Sequence, residues 1–144
     1  MPSFFSGKTM KKVNVGNPAG VRRFVRDILG CGCPEEVFDD LVLAEETIAD
    51  GSTATRTLLV GNRLLVVLLC CRDWDDLRGI LPQLVGHYRQ ERDERGLNRV
   101  RLVVACDQPA LLQPAASLCF AGLPGVDERM HLHILAPADL AEVA

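Results

Sequence analysis

Leu64-Leu65-Val66-Val67-Leu68-Leu69 is an unbroken apolar run built from strand-forming residues. No other stretch constrains the fold as strongly. A strand with one wet face alternates apolar and polar side chains, whereas a strand without alternation is covered on both faces. The chain must therefore place structure on each side of a sheet. Thr55–Val60 precedes this run and is separated from it by Gly61-Asn62, a dipeptide suited to a two-residue hairpin turn. Thr55, Arg56 and Thr57 make that first strand read as a sheet edge.

The flanking segments supply the covering layers. Val21, Phe24, Val25, Ile28 and Leu29 recur at helical spacing, with Gly30 in the position of a C-terminal cap. Pro34 suits the first position of a second helix, Glu35 and Glu36 its first turn. Val37, Leu41, Ala44 and Ile48 then form an apolar stripe that Phe38 and Val42 widen. This predicts a helical hairpin joined by Gly30-Cys31-Gly32-Cys33. Asp73 is a good N-cap for a helix with Trp74, Leu77, Leu81, Leu84 and Tyr88 on one face, which Gly79 and Pro82 are expected to kink or to split into two abutting helices near residue 80. His87, beside Tyr88, reads as a surface residue. Val100–Cys106 reads as a strand, Asp107 as the cap of a further helix containing Leu118–Phe120, and His131–Leu135 as the last strand.

The resulting order is ααββαβαβ. The expected fold is a single α/β domain over residues 1–144, with residues 1–17 as an irregular lead-in. It has three layers: the N-terminal helical hairpin, a mixed four-stranded sheet with an antiparallel first strand, and two crossover helices on the other face. At 144 residues the chain can bury roughly 70% of its unfolded surface without disulfides or metal. No apolar run reaches the roughly 20 residues a bilayer span needs, and the first residues lack the h-region of a signal peptide. A cytoplasmic protein with no membrane partner is expected.

Six cysteines in a non-exported chain do not imply a disulfide framework. Cys70, Cys71, Cys106 and Cys119 lie in or beside apolar runs and read as core residues. Cys31 and Cys33 instead fall at a predicted helix start, where exposed N–H groups favour a thiolate. With His131 and His133, which share one side of a strand, they compose a candidate tetrahedral metal site for zinc or another thiophilic ion. A strained Cys31–Cys33 redox pair and a purely structural connector are the competing readings. A second candidate, a ligand site, follows from topology: Arg72, Asp73, Asp107 and Asp139 follow the carboxyl ends of the predicted parallel strands, where open α/β sheets bind ligands.

Residues 1–30 are basic (Lys8, Lys11, Lys12, Arg22, Arg23 and Arg26 against Asp27), and residues 31–54 carry seven acidic side chains and no basic one. Attraction between neighbouring elements accounts for this, and the net charge of −3 with few aromatics argues against a nucleic-acid partner. A homodimer through the Thr55–Val60 edge or an exposed helix face is the expectation for an interaction module. The run Phe24–Phe38, with Leu29-Gly30-Cys31-Gly32-Cys33-Pro34-Glu35-Glu36 at its centre, resembles an opening shared by small uncharacterised proteins of anaerobic bacteria and archaea. The resemblance implies a recurrent unit that suits exposed thiols in a low-oxygen cytosol, and it transfers no catalytic residue. No Gly-x-Gly-x-x-Gly, Walker loop, Gly-x-Ser-x-Gly or His-Glu-x-x-His is present. Three readings stay open: a metal or thiol site, a non-catalytic module, or a small-molecule binder at the C-terminal edge of the sheet.

Overall fold

A computed structural model describes residues 11–13, 18–30, 38, 40–48, 51 and 53–141. In chain order these form β1 (Lys11–Val13), α1 (Pro18–Arg23) with a π-helical continuation (Phe24–Ile28), β2 (Leu41–Ile48), β3 (Thr53–Val60), β4 (Leu64–Cys70), α2 (Trp74–Glu94), β5 (Arg99–Ala105), α3 (Pro109–Ala121), β6 (Met130–Leu135) and a 3₁₀ turn (Pro137–Leu140). The described strands make one sheet in the order β1-β2-β3-β4-β5-β6. β1 to β4 pair antiparallel, and β4, β5 and β6 pair parallel.

β4 lies inside the sheet and is buried on both faces. Leu65, Val67 and Leu69 point into a core closed by Leu77, Leu81 and Leu84 of α2 and by Leu112 and Ala116 of α3. Leu64, Val66 and Leu68 point into the opposite core with Val21, Phe24, Val25 and Leu29. The fold is α/β with a mixed sheet, as the apolar run requires. The Gly61-Asn62 turn also forms as expected: both residues have positive φ, 59° and 55°, and Arg63 N–H donates to Val60 O at 3.1 Å. Two left-handed residues in succession give the twist that antiparallel neighbours need.

Over Leu41–Ile48 the second helix of the expected hairpin is replaced by a strand, and the start expected for it at Pro34 lies outside the described residues. Leu41–Ile48 is β2, paired with β3 through eight partners from Leu41↔Val60 to Ile48↔Thr53. Leu41, Ala44 and Ile48 fit a helical period, but the same segment also has period two. Leu41 and Leu43 join the α1-side core, whereas Val42 and Ile48 join the α2-side core. Short apolar segments satisfy both templates, and the unmet strand edge of β3 decides between them. Between β2 and β3, Gly51 has φ +85° and its N–H donates to Ile48 O at 3.2 Å, so the break expected there turns the chain back on itself.

Four corrections follow. Among the described residues the sheet has five long strands plus the three-residue β1, not four, and Lys11–Val13 is a strand within the expected lead-in. Thr55–Val60 is internal, so the β3 edge proposed for a homodimer is already occupied by β2. α2 is one continuous helix with Pro82 inside it, not two abutting pieces. Asp107 does not cap α3; its N-cap is Gln108, with Pro109 opening the helix and no side-chain capping bond.

α2 is tied down at its C-terminal end by a bidentate ion pair. Arg92 is 1% exposed and donates through Nη1 and Nη2 to the two carboxylate oxygens of Asp127, each at 2.8 Å. Arg92 also bonds Asp93, and Asp127 accepts from Arg129 N–H at 2.9 Å. The Arg92 guanidinium holds the Asp127 carboxyl far below its ordinary value. A carboxylate with a lowered folded pKa stabilises the fold above its unfolded pKa, and that contribution disappears as pH falls toward the folded value. Stability in urea should therefore decline as pH drops below about 4. Asp127→Asn should cost about 2 kcal/mol at neutral pH and flatten that decline; an unchanged pH profile in the variant would show that the pair does not govern acid stability.

Candidate functional site

The β3–β4 ladder stops early. Its pairing runs from Val60↔Leu64 to Arg56↔Leu68, yet β3 remains paired with β2 down to Thr53 and β4 remains paired with β5 up to Cys70. Beyond Arg56 and Leu68 the two strands part, at the carboxyl end of β4. The opening is a cleft of about 1010 Å³, lined by residues from both faces of the sheet: Glu45, Arg56, Leu68 and Leu140 on one side, Glu46, Thr55, Leu69, Cys71 and Ile80 on the other. Cys70 and Asp76 also border it.

A buried polar cluster forms one wall. Glu46 and Thr55 are direct cross-strand partners, and both are buried. Tyr88, on the buried face of α2, donates its hydroxyl to Glu46 Oε1 at 2.6 Å. Thr55 Oγ1 lies 2.7 Å from the same phenol oxygen. A hydroxyl has one proton, so with Tyr88 donating to Glu46, the Thr55 hydroxyl donates to Tyr88. The alternative Thr55 contact, to Glu46 O, is 3.5 Å long. Burial and the Glu46 hydrogen bond push the Tyr88 phenol far above its ordinary value, which keeps it a donor. His87 stands edge-on to Tyr88, with ring centroids 4.7 Å apart. Its Nε2 is 3.6 Å from Glu46 Oε1, is buried, and has no hydrogen-bond partner among the described residues.

The rim adds further charge. Glu45 and Arg56, also cross-strand partners, form an ion pair at 2.9 Å. Cys71 is pushed up to about 12, first by burial and then by Asp76, Cys70, Cys106 and Asp73, so its thiol stays protonated. Cys70 is exposed. The cleft thus has acidic walls, apolar floor residues and protonated Tyr88 and Cys71 behind them.

The residues singled out from sequence lie elsewhere or only border this cleft. Arg72 N–H donates to Asp76, Asp73 caps α2 by accepting from Asp76 N–H at 2.9 Å, and Asp139 accepts from Ala136 N–H. These residues and Asp107 are exposed. Cys31 and Cys33 lie outside the described residues. His131 and His133 point to the α1 side of the sheet, where Arg99 Nη1 is 2.9 Å from His131 Nε2 and Arg101 Nη1 is 3.0 Å from His133 Nε2. Burial, Arg101 and His131 bring His133 down to about 4, and burial with Arg101 and Arg99 lowers His131. Both rings are neutral near pH 7, with Nε2 accepting from a guanidinium. The lone pairs a metal would need are engaged, and the described residues contain no group of three or more metal-ligating side chains. Arg22 and Arg26, two of the basic residues weighed for nucleic acid, stack over the Phe38 ring at 5.9 and 5.3 Å.

Glu46, Thr55 and His87 are the residues sequence reasoning missed. Glu46 was hidden by the helical reading of its segment; on the two-residue period it falls between Ala44 and Ile48, as an acid on a buried stripe. Comparison with protein families, curated proteins and solved structures finds no match, so the geometry carries the functional reading. Tyr88→Phe should strand Glu46 and Thr55 without their shared partner and cost about 1–3 kcal/mol in chemical denaturation. A variant as stable as the parent would show that the cluster is solvated rather than sealed.

Proposed function

We propose that the protein binds a small polar molecule in the cleft between β3 and β4. The single observation that carries this reading is the parting of these two strands at the carboxyl end of β4 beside a buried carboxylate. Open α/β sheets bind ligands at the carboxyl ends of their strands, and the cleft is at the upper end of the usual size range for such sites, about 300–1,000 Å³. Glu45, Glu46 and Asp76 against Arg56 make the walls a better match for hydrogen-bond donors, such as ammonium or hydroxyl groups, than for anions. His87 backs the Glu46 carboxylate without lining the cleft, its buried Nε2 lying 3.6 Å from Glu46 Oε1. Recognition fits these groups better than nucleophilic catalysis, since Tyr88 and Cys71 are held in their protonated, unreactive forms.

A screen of small amines and polyols by amide NMR tests this reading. Binders should shift the signals of Thr55, Arg56, Leu69 and Cys71 together, and Ala54→Trp should abolish the shifts by filling the cleft. Shifts confined to other surfaces, or binding indifferent to Ala54→Trp, would refute it.

A second reading is favoured by one observation. Leu111 and Leu118, seven residues apart on α3 and so on nearly one helical face, are 74% and 79% exposed. Self-association through α3 would cover them. Light scattering should then find a dimer that Leu118→Ser dissociates, and a monomeric parent at high concentration would exclude it.

A further inference from the structure

A second polar cluster stands at the other end of the sheet, on its α1-side face. There β5 and β6 present Arg99, Arg101, His131 and His133. Each arginine reaches the histidine on the neighbouring strand through the same atom, Nη1, giving two parallel rungs at 2.9 and 3.0 Å. The remaining bonds of these guanidinium groups go only to backbone: Arg99 Nη1 to Glu128 O at 3.0 Å and Arg101 Nη1 to Leu29 O at 3.0 Å. Among the described residues no carboxylate lies within ion-pair distance of either arginine. Arg101 Nε is buried and has no hydrogen-bond partner among the described residues.

Two like charges two residues apart on one strand face repel, and among the described residues no ion pair offsets that repulsion. The ladder also has a uniform polarity. Guanidinium groups carry donors only, and imidazoles whose Nε2 accepts from arginine carry their proton on Nδ1. Every acceptor in the four side chains is consumed within the ladder. What the ladder leaves over is donors: Nε and Nη2 of each guanidinium, the Nε of Arg101 being buried, and the Nδ1–H of each ring.

From this arrangement we infer that the Arg99–Arg101–His131–His133 ladder is an oxyanion site for a phosphate group, free or as a monoester. A tetrahedral dianion with acceptors on every oxygen is the complement of two adjacent guanidinium forks, and such contacts are charge-assisted and geometrically specific. A monocarboxylate offers half the charge and one plane of acceptors. The ladder is separate from the β3–β4 cleft: Arg99 pairs in register with Leu64 at the start of β4, whereas the cleft opens beside Cys70 at its end.

Calorimetric titration of the full chain with inorganic phosphate, methyl phosphate and acetate tests the assignment. Inorganic phosphate should bind saturably with one site per chain, should shift the His131 and His133 ring resonances, and should weaken by about tenfold or more in Arg101→Gln. Arg101→Lys, which keeps the charge but loses the fork, should weaken it as well. Retained affinity in that variant would mean attraction by charge alone and would overturn the site. So would the absence of saturation by about 10 mM phosphate, or acetate binding as tightly. Equal affinity for methyl phosphate places the ligand in the monoester class, whereas its exclusion limits the site to free phosphate. Circular dichroism of both variants confirms the fold, and if Arg101→Gln unfolds, Arg99→Gln supplies the same readout.

Discussion

The apolar run of β4 is the constraint on which the rest of the molecule depends. A strand with leucine and valine on both faces is stable only where two layers meet it, each buried side chain contributing about 1.5–3 kcal/mol. α2 and α3 supply one layer, α1 and its π-helical turn the other. β4 also needs a strand on each edge. β5 comes back parallel by way of α2, as a crossover must, and β3 comes back antiparallel through the Gly61-Asn62 turn. β4 thus sits where antiparallel pairing gives way to parallel pairing.

That change of pairing explains how a cleft can open without unravelling the sheet. β3 leaves β4 after Arg56, and a hairpin released from its neighbour has half its ladder unmade. Tyr88 makes up for the loss from a different layer. Its phenol reaches Glu46 on β2 and Thr55 on β3, two directly paired residues, and so pins the far end of the β2–β3 hairpin to α2. The Glu45–Arg56 pair ties the two strands of that hairpin to each other on the opposite face. The cleft therefore has a fixed wall, which is what a preorganised site requires.

The parts of the fold that could be read from the chain were those with a single physical solution. Leu64–Leu69 admits only a two-faced strand, Gly61-Asn62 only a tight reversal, and Asp73 before Trp74 a helix start that the structure reproduces down to the capping bond. Leu41–Ile48 had two solutions. Its local spacing satisfies a helix, and what decides for a strand is the open edge of β3, a partner the segment itself does not reveal. The candidate site was lost through the same ambiguity. A helical Glu46 is one solvated acid among several, whereas a strand places it beside Thr55 and beneath Tyr88. The histidines on β6 were placed correctly on one side of a strand, but their partners, Arg99 and Arg101, come from a neighbouring strand that carries no local sign of the pairing.

β5 shows how one strand can serve both a core and a charged surface. Val103 and Ala105 lie in the α1-side core, while Arg101 and Arg99 occupy the same face two and four residues earlier. The transition coincides with the end of the helical layer, since Arg101 donates to Leu29 O, a carbonyl left unpaired by the helix end. The guanidinium thus caps the layer that buries the rest of its own strand. Capping uses one nitrogen and leaves a fixed positive charge at the edge of the core, held in place by His133. A group so restrained loses little entropy on meeting an anion, which is why a residue whose first role is structural is also the best-prepared donor on this face.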